Sequence, residues 1–150
     1  MVQSNRSTFD RAYAEGMRGV HMHFPKDATI GSLLGEALTD LYPWNYWAQD
    51  GKLYAWTLEI GNVLGQTLAT DPNHPLANHL YIHAVEASPN PERAISTADR
   101  LGGLVPGAGH LVQWLVLHVK VRLLILLYIL PKGRYTYERK TFGDGRGASC

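Results

Sequence analysis

The sequence predicts an all-α fold: antiparallel helical hairpins stacked as a short α-solenoid, with an irregular C-terminal tail. Three observations point there. Apolar residues recur at helical spacing in successive segments between Phe9 and Leu101. Proline and glycine clusters punctuate those segments at short intervals. No stretch before residue 111 shows the apolar–polar alternation of a half-buried strand.

The elements follow in order. Ser7 or Thr8 can cap a first helix whose apolar stripe is Phe9, Tyr13, Met17 and Val20, ending near Phe24-Pro25. Asp27 can cap a second helix, with Ile30, Leu33, Leu34, Ala37 and Leu41 on one face. Residues 42–56 then hold three tryptophans and three tyrosines, with Pro43 and Gly51 as breakers. That predicts an ordered aromatic loop, because such a stretch is too apolar for a solvated linker. A third helix is expected from about Thr57 to Ala69. Its expected buried residues are Leu58, Val63, Leu64 and Leu68, and Gly61 and Gly65 would admit a close neighbour. Pro75 opens a fourth helix reaching about Ala87, since proline at the first helical position sacrifices no intrahelical bond. Asn90 caps and Pro91 opens a fifth, with Ala94, Ile95, Ala98 and Leu101 inward, ended by Gly102-Gly103.

Composition narrows the partners. The chain has 150 residues, 45% apolar and 18% charged, with a formal net charge of +1. That balance argues against a nucleic-acid partner or an anionic membrane surface. Cys150 is the only cysteine, so an internal disulfide and a cysteine-based zinc site are excluded. The start, MVQSNRSTFDR, is polar and lacks the apolar run of a secretory signal, which points to a cytoplasmic protein.

A period is visible. Pro106 follows Pro72 by 34 residues, and residues 75–106 hold a helix, a turn, a second helix and a closing proline. Thr67-Leu-Ala-Thr-Asp-Pro-Asn-His74 and Pro91-Glu-Arg-Ala94 resemble the end of one tetratricopeptide unit and the start of a second helix in the next. Ala94 and Ala98 stand where the family uses small residues. Ile82 and Leu101 depart from it, standing where the family prefers Gly or Ala, and Ala. Going backwards, Pro25 to Pro72 is 47 residues, and the aromatic loop absorbs the surplus. The chain thus reads as one regular unit (75–106), one enlarged unit (27–72) and a lone first helix. Asp40-Leu-Tyr-Pro-Trp44, residues 78–88, Pro91-Glu-Arg-Ala94 and residues 104–112 are also similar to a group of longer bacterial-type tetratricopeptide proteins of undefined activity. The match covers about residues 8–112 and stops at Gln113, which leads to the expectation of a truncated or frame-shifted end. The resemblance implies a binding or scaffolding module for a protein or peptide.

One helix face carries chemistry. His79, His83 and Glu86 fall within about 60° of arc around the fourth helix. With Tyr81, Trp44, Trp47 and Trp56 they are the candidate binding surface. The tryptophans are read first as a plug between units and second as a stacking surface. The alternative is a metal site or metal-dependent enzyme, with His79, His83, Glu86 and His110 around Zn, Cu or Fe. Leu80 stands where a zincin helix needs glutamate, so that signature is absent. The bland reading is that these side chains simply hydrogen-bond within a helical array. His21 and His23 point about 200° apart on a helix and cannot readily share a ligand. Asp50 and Glu59 read as solvated charges. No nucleophile–base triad and no phosphate-cradling glycine motif can be defended, so enzymatic activity is left open.

The domain reading is a helical repeat domain over 1–111, an apolar segment over 112–130 and a basic, glycine-rich, disordered tail over 131–150. Lys120 and Arg122 inside the apolar run would each cost about 2.5–3.5 kcal/mol in a bilayer, so spanning is disfavoured. Self-association through that segment is expected instead.

Overall fold

A computed structural model of the protein describes residues 3–105, with side chains from residue 6 onward. His110, the apolar segment 112–130, the tail 131–150 and the proposed break at Gln113 lie outside the described residues. Within them the chain is helical: α1 (Gln3–His23), α2 (Ala28–Leu41), α3 (Ala55–Thr70), α4 (Pro75–Glu86) and α5 (Ile95–Leu104), with a 3-10 turn over Pro91–Ala94. The described residues contain no strand, only an isolated antiparallel bridge between Trp47 and Leu53.

Helix α1 begins earlier than Ser7, in a polar turn braced by an Arg6–Asp10 ion pair of 3.6 Å. Its expected inward stripe is largely outward. Phe9 is 69% exposed, Tyr13 44% and Val20 41%, while Ala14 is fully buried and Met17 packs at the edge of the core. The reason is geometric. Among the helices the backbone of α1 packs on α2 alone and only the Arg18 side chain reaches α3, so one side of α1 is left uncovered.

Helix α2 starts as its sequence dictates. The Asp27 carboxylate accepts from the backbone N–H groups of Thr29 (2.9 Å) and Ile30 (3.0 Å). Leu34, Ala37 and Leu38 are buried, whereas Ile30, Leu33 and Leu41 are half-buried. Gly31 and Gly35 lie against α3. A Cβ on Gly31 would collide with the Thr67 hydroxyl, and one on Gly35 with the Leu64 methyl. Number rises along α2 as it falls along α3, so the two helices are antiparallel. In α3 the buried residues are Thr57, Ile60, Gly61, Leu64 and Thr67, with Ile60 and Leu64 fully inaccessible, while Leu58 is 44% exposed. The expectations for Leu58 and for Gly65 are therefore corrected. Nothing lies within 4 Å of a Cβ at Gly65, and the close approach is made by the glycines of α2 instead.

Helix α4 opens at Pro75 after His74, whose Nδ1 accepts from the Ala77 N–H at 3.4 Å. Buried Asn78 ties down the preceding turn, donating to the carbonyls of Pro72 (2.9 Å) and His74 (2.8 Å). Ile82 is fully buried, which the larger side chain there makes consistent with its place in the core. The chain after α4 differs from expectation. Asn90 makes no side-chain cap; its N–H donates to the Ser88 hydroxyl at 3.1 Å. Pro91 opens a 3-10 turn rather than an α-helix, and α5 passes through Gly102-Gly103 to Leu104. A helix tolerates glycine near its end at a cost of about 1 kcal/mol per residue. Ala94, Ala98 and Leu101 are buried as expected.

Each helix packs on its sequence neighbour, and α2 also packs on α4. Ser32, near the start of α2, lies 3.4 Å from the His74 ring at the start of α4. Trp47, in the loop after α2, donates to the Ala84 carbonyl near the end of α4 at 2.7 Å. Both ends correspond, so α2 and α4 lie side by side and point the same way. No helix among the described residues is long and apolar enough to cross a membrane.

Candidate functional site

The loop between α2 and α3 positions the site. It is pinned from below by polar bonds. Tyr46 is buried, its hydroxyl donates to the Thr39 carbonyl at 3.4 Å, and its own carbonyl accepts from the Thr57 hydroxyl. The Trp56 indole donates to the Asn45 carbonyl at 2.8 Å. Gly51 takes φ +80, which a glycine adopts freely, and turns the chain so that Ala48 N–H donates to the Lys52 carbonyl. Trp56 stacks on Tyr42 (centroids 4.3 Å) and on Tyr54 (4.5 Å), giving a three-ring stack. Trp47 and Trp56 are thus half-buried, each held by an indole hydrogen bond.

Trp44 behaves differently. It is 77% exposed, and its ring lies 5.1 Å from the His83 ring in a T-shaped contact. His83 in turn meets His79 edge to face at 4.7 Å. The His83 Nδ1 lies 3.0 Å from Glu86, and both side chains are largely buried, at 19% and 14% exposure. Trp44, His79, His83 and Glu86 therefore form one contiguous surface where the loop meets α4. Tyr81 does not join it. It projects about 200° around the helix from His79, and its hydroxyl accepts from Arg93 at 3.3 Å. Trp56 sits apart in its own stack.

Among the described residues no group of three or more His, Cys, Asp and Glu side chains is placed to hold a metal ion. His110, the fourth expected ligand, lies outside them. His21 and His23 stand at the end of α1, where the His23 ring contacts the Gly19 carbonyl at 2.8 Å.

Two charged features were not read from the sequence. Glu59 is no isolated solvated charge: it takes a forked bond from Arg18 of α1, at 2.7 and 2.9 Å. Glu15 joins at 2.9 Å. The bond to Glu59 holds the Arg18 guanidinium above its usual range. Arg11, Glu15, Arg18, Leu41 and Tyr42 line a cleft of about 320 Å³ beside this pair. Its only sequence signal was the i, i+4, i+7 spacing of Arg11, Glu15 and Arg18. Asp50 is exposed as expected, and its pairing with Lys52 (2.7 Å) lowers its pKa.

Burial raises the pKa of Tyr46 above its ordinary value of 10.0. The folded state thus holds this proton more tightly than the unfolded chain. The associated stability is complete below the unfolded value and is lost as pH rises towards the folded one. Urea midpoints should therefore fall more steeply above about pH 10 for the wild type than for Tyr46→Phe. Equal slopes would show that Tyr46 ionises freely in the fold.

No protein-family model, no curated protein and no solved structure matches this chain.

Proposed function

We propose that the chain is a tetratricopeptide-like binding module. It holds a peptide or protein segment on the surface formed by α4 and the aromatic loop. The arrangement of helices supports this reading. Antiparallel α2 and α3, with α4 lying parallel beside α2, is what stacking of helix–turn–helix units produces.

One observation carries the choice of surface. Trp44 holds φ 61, the left-handed region, and is the only non-glycine among the described residues with positive φ. That conformation costs about 1–2 kcal/mol, and here no burial offsets it. A large exposed indole fixed in such a geometry beside a His–Glu pair is an anchor for a partner's apolar side chain, with polar groups at its rim. The metal reading has less support, because among the described residues no three His, Cys, Asp and Glu side chains converge on one point.

The test is selection of short peptides from a displayed random library on the full-length chain. Trp44→Ala should weaken the selected peptides by at least about tenfold. Its melting temperature should stay within a few degrees, because so exposed a side chain adds little to the core. Peptides that bind the variant equally well, or a library that yields no binder, would refute the assignment.

A further inference from the structure

We propose that two copies of the chain associate through α1, packed antiparallel about a two-fold axis. Phe9, Tyr13, Val20 and the adjoining Phe24 are 69%, 44%, 41% and 58% exposed. Their spacings of four, seven and four residues place them on one stripe of α1, within about 60° of arc. Phe24 continues that stripe, since its N–H still donates to the Val20 carbonyl at 3.1 Å. Ala14, by contrast, is buried on the side facing the core.

A second copy is the occupant because the stripe is self-complementary. Phe9 with Phe24 and Tyr13 with Val20 are both centred on the point between Gly16 and Met17. A two-fold axis there sets Phe9 against Phe24 and Tyr13 against Val20, twice over, as an isologous interface requires. Gly16 lies at the crossing, and nothing stands within 4 Å of where its Cβ would be. Two backbones can therefore approach closely at the axis.

The size of the surface sets the strength. Fully exposed aromatic side chains bring about 150–250 Å² each. The exposed part of the stripe then comes to roughly 400 Å² per copy and about 800 Å² for the pair. That is below the standard size for a tight complex, so the dimer is weak and reversible. A dissociation constant of about 10–100 μM is expected.

The test is sedimentation equilibrium of the full-length chain across that concentration range, for the wild type and Val20→Lys. The wild type should pass from monomer to dimer, and Val20→Lys should remain a monomer with unchanged helical circular dichroism. Register is tested separately in a Cys150→Ser background. Tyr13→Cys mixed with Val20→Cys should form a mixed disulfide by mass spectrometry, while neither variant should cross-link to itself. Two copies of residue 13 would lie about 10 Å apart along the axis, too far for a disulfide. A wild type monomeric throughout, association that survives Val20→Lys, or cross-linking of Tyr13→Cys to itself would each overturn the proposal.

Discussion

Truncating Ile60 to alanine should lower the stability of the fold by about 2–5 kcal/mol. The side chain is fully buried in the central cluster with Leu34, Leu38, Leu64 and Ile82. Removing it strips three carbons from a site flanked by α2 and α4, and neighbours on two sides cannot both collapse inward. Leu58→Ala, two residues earlier, removes a side chain that is 44% exposed. Its cost should be below about 1 kcal/mol. Urea unfolding of both variants, compared at equal slope, reads the difference. A larger loss at Leu58 than at Ile60 would mean that α3 is rotated from the orientation described.

Enlarging Gly31 should have the next largest effect. Its neighbour is the Thr67 hydroxyl, which donates to the Val63 carbonyl at 2.8 Å. A valine at 31 must either rotate Thr67 off that bond or push α2 and α3 apart. Gly31→Val should therefore cost about 1–3 kcal/mol, the range for overpacked cores. Gly65→Ala is the internal contrast. Open space surrounds that position, so the gain in helix propensity is unopposed and stability should rise by about 0.5–1 kcal/mol. Thermal melts of the two variants moving in the same direction would contradict the helix contact.

These pairs also show what the chain betrays before it folds. The starts of α2 and α4 were legible because they are local: Asp27 bonds to N–H groups two and three residues on, and Pro75 needs no neighbour to begin a helix. The inward face of α3 was not. Leu58 and Ile60 lie about 160° apart on the helix, with Val63, Leu64 and Leu68 spread between or beyond them. An apolar surface that wide admits several orientations, and packing against Gly31 and Gly35 decides among them. The same holds for α1, whose periodic stripe marks an apolar face without saying whether anything covers it.

The candidate site divides in the same way. The strip of His79, His83 and Glu86 follows from helical spacing alone, and the fold keeps it. Tyr81 was grouped with it by proximity in sequence, and helical rotation separates them. Trp44 over His83 could not be foreseen. It depends on a loop whose path is set by bonds from Tyr46 to Thr39, Trp47 to Ala84 and Trp56 to Asn45, contacts spanning 7, 37 and 11 residues.

That assembly of loop and helix is the central claim, and an aromatic-edited nuclear Overhauser experiment on the labelled full-length chain tests it most directly. Cross-peaks should link the Trp44 ring to the His83 imidazole, and the Trp47 indole N–H to the Ala84 backbone. A Trp44 ring with only sequential cross-peaks, or a Trp47 indole reporting on some other helix, would contradict it.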